Sequence, residues 1–199
     1  MKTQTDTPDT KEEILSTAQS IMSSKGFSAV GLNEILSSVG VPKGSFYHYF
    51  NSKEAFGEAL LERYFENYLA SMDDMLSQKG RSAGERLSLY WQHWLDTQTT
   101  VDPQSKCLVV KLAAEVADLS EGMRGVMLQG TTQIVARIAE IIEEGIVDGS
   151  VNVSKPANHL AETLYQTWLG ASLLAKISKD DVPLQSAMRT TENLLNFST

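Results

Sequence analysis

Lys43, Ser45, Tyr47, His48, Tyr49 and Lys53 crowd hydrogen-bonding and cationic side chains into one short stretch, Gly40-Val41-Pro42-Lys43-Gly44-Ser45-Phe46-Tyr47-His48-Tyr49-Phe50-Asn51-Ser52-Lys53. Phe46 and Phe50 lie four apart, so on a helix they share a face that turns to the core. The polar residues between them then point elsewhere, and a merely solvated surface needs neither two tyrosines nor a histidine. Just upstream, Leu32, Ile35, Leu36 and Val39 recur at helical spacing and end at the Gly40-Val41 turn. That order predicts helix, tight turn, second helix, the arrangement that lays a second helix in the major groove of DNA.

A different chemistry resides at Cys107, the chain's one cysteine. It cannot form an internal disulfide, which fits a reducing compartment. A lone cysteine is commonly buried and inert. Here Leu108, Val109, Leu112, Ala113 and Val116 share one helical face, and Cys107 falls opposite them beside Lys111 and Asp118. With Ser105 as a cap, Cys107 would occupy the first helical turn, where free amides and the neighbouring Lys106 and Lys111 would lower its pKa. Lys176 shares a face with Tyr165, Leu169, Ser172 and Leu173, a place where an ammonium is partly desolvated and can approach the thiol.

Helical periodicity that positions these groups runs through nearly the whole chain, with no strand or repeat. A first helix is predicted from Asp9 or Thr10 to Gly26. Ser52 is placed to cap a longer one carrying Phe56, Leu60, Tyr64 and Leu69, ended by the break at residues 79–84. Leu87, Tyr90, Trp91, Trp94 and Leu95 mark an aromatic helix, residues 105–118 another, and Met123 to Ile146 and Ala157 to Ile177 two longer ones. Trp91, Trp94, Tyr165 and Trp168 can line a ligand pocket or simply fill the core. The last helix is apolar around most of its circumference, which calls for a partner chain, and Met123 to Ile146 and Ala157 to Ile177 are expected to form a four-helix dimer interface with their symmetry mates. The expected architecture is all-α: an N-terminal three-helix helix-turn-helix head (residues 1–53) and a helical effector-sensing and dimerisation body (residues 54–199).

The 17 Lys and Arg against 25 Asp and Glu give a net charge of −8, which excludes general affinity for polyanions. Residues 1–53 are neutral, with five groups of each sign, so the excess lies wholly in the body. His48, His93, His159 and Cys107 lack metal-ligand spacing, and neither metal nor cofactor is expected. No apolar run reaches eighteen residues and Met1 to Thr10 is polar, so the expected location is the cytoplasm, at the nucleoid, with no membrane partner.

The turn, the Tyr-x-Tyr-Phe run at Tyr47–Phe50 and the trailing Ser52-Lys53-Glu54 together resemble the signature of the TetR family of bacterial repressors, over roughly residues 10–70. The resemblance implies that Lys43, Ser45, Tyr47 and His48 face base edges, that Tyr49 and Lys53 contact phosphate, and that Gly44 lets the backbone come close. Many relatives place a threonine at the start of the first helix of the motif; Val30-Gly31-Leu32 stands here, leaving backbone amides for that phosphate. Asn33 occupies a position where relatives often carry a base-reading arginine, and asparagine pairs with adenine. The segments Ser105–Val116, Asp118–Arg124 and Trp168–Ser178 are similar to a branch of the family that controls detoxifying genes through a reactive cysteine.

That likeness implies a homodimeric transcriptional repressor on double-stranded operator DNA, released when a reactive electrophile or oxidant modifies Cys107, with Lys176 as a second sensing residue, and governing detoxification or reductase genes. One rival is the same fold induced by reversible binding of a small molecule among the aromatics. Another is a cysteine enzyme using His93 or His159, for which no nucleophile motif exists. A purely structural helical protein would leave the polar head residues without a purpose.

Overall fold

The structure, a computed structural model, describes residues 10–100, 102 and 106–197. Among these the chain forms α1 (Thr10–Lys25), α2 (Leu32–Val39), α3 (Lys43–Tyr49), α4 (Lys53–Leu76), α5 (Ala83–Thr99), α6 (Leu108–Leu119), α7 (Glu121–Asp148), α8 (Ala157–Ser178) and α9 (Val182–Leu195). The only extended pairing among the described residues is an isolated antiparallel bridge, Val151 to Phe197. The all-α expectation holds.

In the head, Ile14, Leu15, Ala18 and Met22 of α1 pack with Ile35 and Leu36 of α2 and with Phe46 and Phe50. Gly40 takes φ 68°, a left-handed conformation that costs a side-chain-bearing residue about 1–2 kcal/mol, and so turns α2 into α3. Ser52 caps α4 by accepting a hydrogen bond from the Ala55 amide at 3.0 Å, and α4 then runs from the head into the body. Ser82 and Glu85 form a capping box at the start of α5.

α7 packs on α4, α5, α6 and α8 and is the axis of the body. Its crossing with α4 is close because Gly130 faces the Phe65 ring, where any Cβ would overlap. Met123, Met127, Ile134, Ile138, Ile141 and Ile142 are all consumed in this core. The apolar residues left exposed include Leu173, Leu174 and Ile177 at the end of α8, Val182 at the start of α9, and Leu128, Ile146 and Val147 on α7. Helix α9 was not anticipated; it packs on α8 and α5.

Candidate functional site

The surface of α3 is built by its buried side. Phe46 has no exposed surface and lies 5.1 Å from the Phe50 ring and 5.4 Å from the Phe56 ring, centroid to centroid. This anchor turns Tyr47 (53% exposed) and Tyr49 (36%) outward with Lys43, Gly44 and His48, while Ser45 is half-buried. His48 and Tyr49 meet edge to face at 5.1 Å. Asn33 is exposed on α2. Gly31, the N-cap of α2, supplies no side-chain acceptor, so the first amides of that helix stay open.

Lys53 sits differently from the other head candidates. Its Nζ donates to the Val30 carbonyl at 3.2 Å and lies 5.0 Å from the centroid of the Phe27 ring. In this conformation the ammonium braces the loop entering α2 rather than standing free for phosphate, because a carbonyl and an aromatic face close by compete for it.

Cys107 corrects the expectation of an outward, activated thiol. It is the N-cap of α6 rather than a first-turn residue, it is only 8% exposed, and it belongs to the core. The proposed cap Ser105 lies outside the described residues. Tyr64 of α4 donates its hydroxyl to the Cys107 Sγ at 3.8 Å and accepts the Leu108 amide at 3.2 Å. Burial pushes the thiol pKa up, and the nearby Val110 amide, the Tyr64 hydroxyl and the Val109 amide offset only part of that rise. The helix-start amides thus act as expected, but desolvation wins.

Two clefts meet at the thiol. One, of about 220 Å³, is lined by Tyr64, Tyr68, Tyr90, His93 and Trp94 as well as Cys107. The other, of about 450 Å³, brings Cys107 together with Lys106, Lys111 and Lys176. Burial, then the charges of Lys111 and Lys106, lower the Lys176 pKa, although the residue is exposed at the mouth of the cleft. His93 borders the first cleft, but among the described residues the thiol's side-chain hydrogen-bond partner is Tyr64.

Of the four aromatics considered for a pocket, only Trp94 reaches a cleft beside Cys107. Trp91 and Trp168 stack at 5.1 Å with planes 14° apart, and Tyr165 is buried against Trp94. The indole of Trp94 donates to Ser172 and that of Trp168 to Thr191. The rings interdigitate as core, although the Trp91 indole N–H and the Tyr165 hydroxyl are buried there without a hydrogen-bond partner among the described residues.

Helix α6 also grips the head. Glu115 accepts the amides of Phe27 at 3.0 Å and Ser28 at 2.5 Å, and Lys111 Nζ donates to the Ser24 carbonyl at 2.8 Å. Burial raises the Glu115 pKa, but the Ser28 and Phe27 hydrogen bonds and the Lys111 charge together outweigh it and hold the carboxyl below its ordinary range. Sequence reasoning missed Glu115 and the hydroxyl of Tyr64. Their partners are 87–88 and 43–44 residues away, so no local pattern marks them.

Residues 14–60 match the model for bacterial regulatory proteins of the tetR family, and residues 83–191 match the tetracyclin repressor-like C-terminal domain. The chain is 39% identical over 187 residues, 94% of both chains, to the HTH-type transcriptional repressor NemR of Escherichia coli strain K12. It is 34% identical to the transcriptional regulator AcuR of Cereibacter sphaeroides, over 85% of this chain and 77% of that one. The crystal structure of Escherichia coli NemR in its reduced form superposes with a TM-score of 0.90, at 39% identity, covering 96% of this chain and 99% of that one. These relatives are regulators rather than enzymes.

Proposed function

The chain belongs to the TetR family of bacterial transcriptional repressors, and we propose that it holds operator DNA through the open face of α3 until an electrophile or oxidant modifies Cys107. Repressors of this family bind operator DNA as dimers. In this reading Lys43, Ser45, Tyr47, His48 and Asn33 read base edges and Tyr49 meets phosphate, with Gly44 allowing close approach. The exposed Leu173, Leu174, Ile177 and Val182 bury against a second copy, and the protein works in the cytoplasm; no described helix is long and apolar enough to cross a membrane.

The observation that carries the sensing step is the double attachment of α6. Its start is the sole thiol, tied to α4 through Tyr64, and two turns later Glu115 holds the head at Phe27 and Ser28. Modification adds volume where Cys107 is packed, so the start of α6 must shift, and Glu115 carries the shift to the α1–α2 turn. A coupling of about 1–3 kcal/mol changes operator occupancy roughly 5–150-fold. Oxidation to sulfenic acid would be capped by an external thiol, by the partner's Cys107 or by the Lys176 amine across the shared cleft.

A second reading keeps the same repressor but induces it by reversible binding of a small molecule, favoured by the cleft that Tyr68, Tyr90 and Trp94 form beside Cys107. Footprinting on DNA upstream of the chain's own gene tests both readings. A protected site that is lost on N-ethylmaleimide treatment supports cysteine sensing. A site unaffected by thiol modification refutes it and leaves the reversible ligand.

A further inference from the structure

Lysines gather where the thiol cleft opens, in a chain whose net charge is −8. Lys106, Lys111, Lys176 and Lys179 all line the cleft that reaches Cys107. Two carboxylates, Asp180 and Asp181, share the wall. Both are engaged at the start of α9: Asp180 accepts from Ser178 Oγ and from the Val182 amide, each at 3.1 Å, and Asp181 accepts from Gln185 Nε2 at 3.4 Å. Glu115, the acidic neighbour of Lys111 on α6, is occupied by the head's amides. Among the described residues no carboxylate lies within ion-pairing distance of Lys111, Lys176 or Lys179.

Like charges are moreover turned on one another. After burial, the positive charges of Lys111 and Lys106 near the Lys176 amine lower its pKa further. Facing ammonium groups in a partly desolvated cleft are a local cost that an anion between them relieves. With four lysines against two carboxylates already engaged at the start of α9, the cleft carries an excess of positive charge, which concentrates small anions.

We propose that this cleft is a binding site for small anions of the carboxylate class, and that it favours anionic over neutral electrophiles at Cys107. This deepens the cysteine-sensor reading by naming the chemical class of molecule that reaches the thiol; it rests on that reading only for its biological consequence. The anion's oxygens would take hydrogen bonds from Lys111 and Lys176, leaving its reactive carbon toward the sulfur.

Iodoacetate and iodoacetamide test the site, since they deliver the same reacting methylene with and without a negative charge. In each case the thiol proton passes to solvent, the sulfur attacks the methylene, the S–C bond forms as the C–I bond breaks, and iodide leaves. Rates at Cys107 are read on the full-length protein by intact mass, each referred to the rate with free N-acetylcysteine. The expected result is an iodoacetate-to-iodoacetamide ratio about tenfold above that of the free thiol, falling toward it as salt is raised. The Lys176→Gln/Lys179→Gln double variant is expected to bring the ratio back to the free-thiol value. A wild-type ratio equal to the free thiol's, or a raised ratio that neither salt nor the double variant changes, overturns the site, as does a Cys107 that neither reagent reaches. Operator binding by the alkylated protein is measured separately: a raised, salt-sensitive ratio in a protein that keeps its operator upholds the anion site and sinks the sensor reading.

Discussion

Replacing Glu115 with alanine should leave a protein that still senses through Cys107 but no longer answers. The carboxylate takes two backbone amides, one partly buried at Phe27 and one exposed at Ser28. A hydrogen bond to a charged group contributes about 1.5–3 kcal/mol when shielded, and water replaces the exposed bond at little cost, so the loss is about 2 kcal/mol in the attachment of the head. That is comparable with the roughly 1–3 kcal/mol of an ordinary allosteric coupling. Fluorescence anisotropy on the footprinted operator, before and after complete alkylation confirmed by mass, gives the coupling in wild type and variant. Wild type should lose affinity about tenfold or more, and Glu115→Ala should lose less than about threefold. A Glu115→Ala protein that releases operator as fully as wild type at equal modification would refute the transmission path. Glu115→Gln, which keeps one acceptor oxygen, should fall between them.

Tyr47→Ala and Lys43→Ala should each cost on the order of 1–3 kcal/mol on operator DNA, read by anisotropy against a scrambled duplex; equal losses on both duplexes would remove the base-reading assignment. Because burial raises the Cys107 pKa, its alkylation rate should still be climbing at pH 9, where an ordinary thiol of pKa about 8.5 is levelling off. The same raised pKa makes folding favour the thiol form, so this contribution to stability is whole below about pH 8.5 and fades as pH rises toward the folded value, visible as a falling Tm absent in Cys107→Ser. Ile177→Glu, placing charge on the exposed apolar end of α8, should shift sedimentation at micromolar concentration toward monomer, and an unchanged dimer would place the interface elsewhere.

The head was legible because its signals are local. Phe46 and Phe50 four apart predicted which face is buried, and Gly40 predicted the turn. Cys107 was misplaced because helix α6 starts at Leu108, not near residue 105, so the wheel drawn through the cysteine did not apply to an N-cap residue. Its burial comes from Tyr64 on α4, a contact 43 residues away. Helix α9 carried a readable start, with Pro183 in its first turn and Leu184, Ala187 and Thr191 at helical spacing, but it is short and follows α8 after only three residues, so its signal is weak beside that of the longer helices. Met123, Met127, Ile134, Ile138, Ile141 and Ile142 of α7 are buried within the chain, while Leu128, Ile146 and Val147 stay exposed, so only these exposed residues of that helix are left for a dimer interface.

The most direct measurement is operator binding by Cys107→Ser under graded N-ethylmaleimide or hypochlorite, beside wild type on the same DNA. Serine is close to cysteine in shape and can still accept from the Tyr64 hydroxyl while removing the thiol, so affinity without stress should match wild type. The account predicts that wild type leaves the operator as Cys107 is modified and that Cys107→Ser stays bound across the same doses. Release of both proteins at the same dose would contradict it.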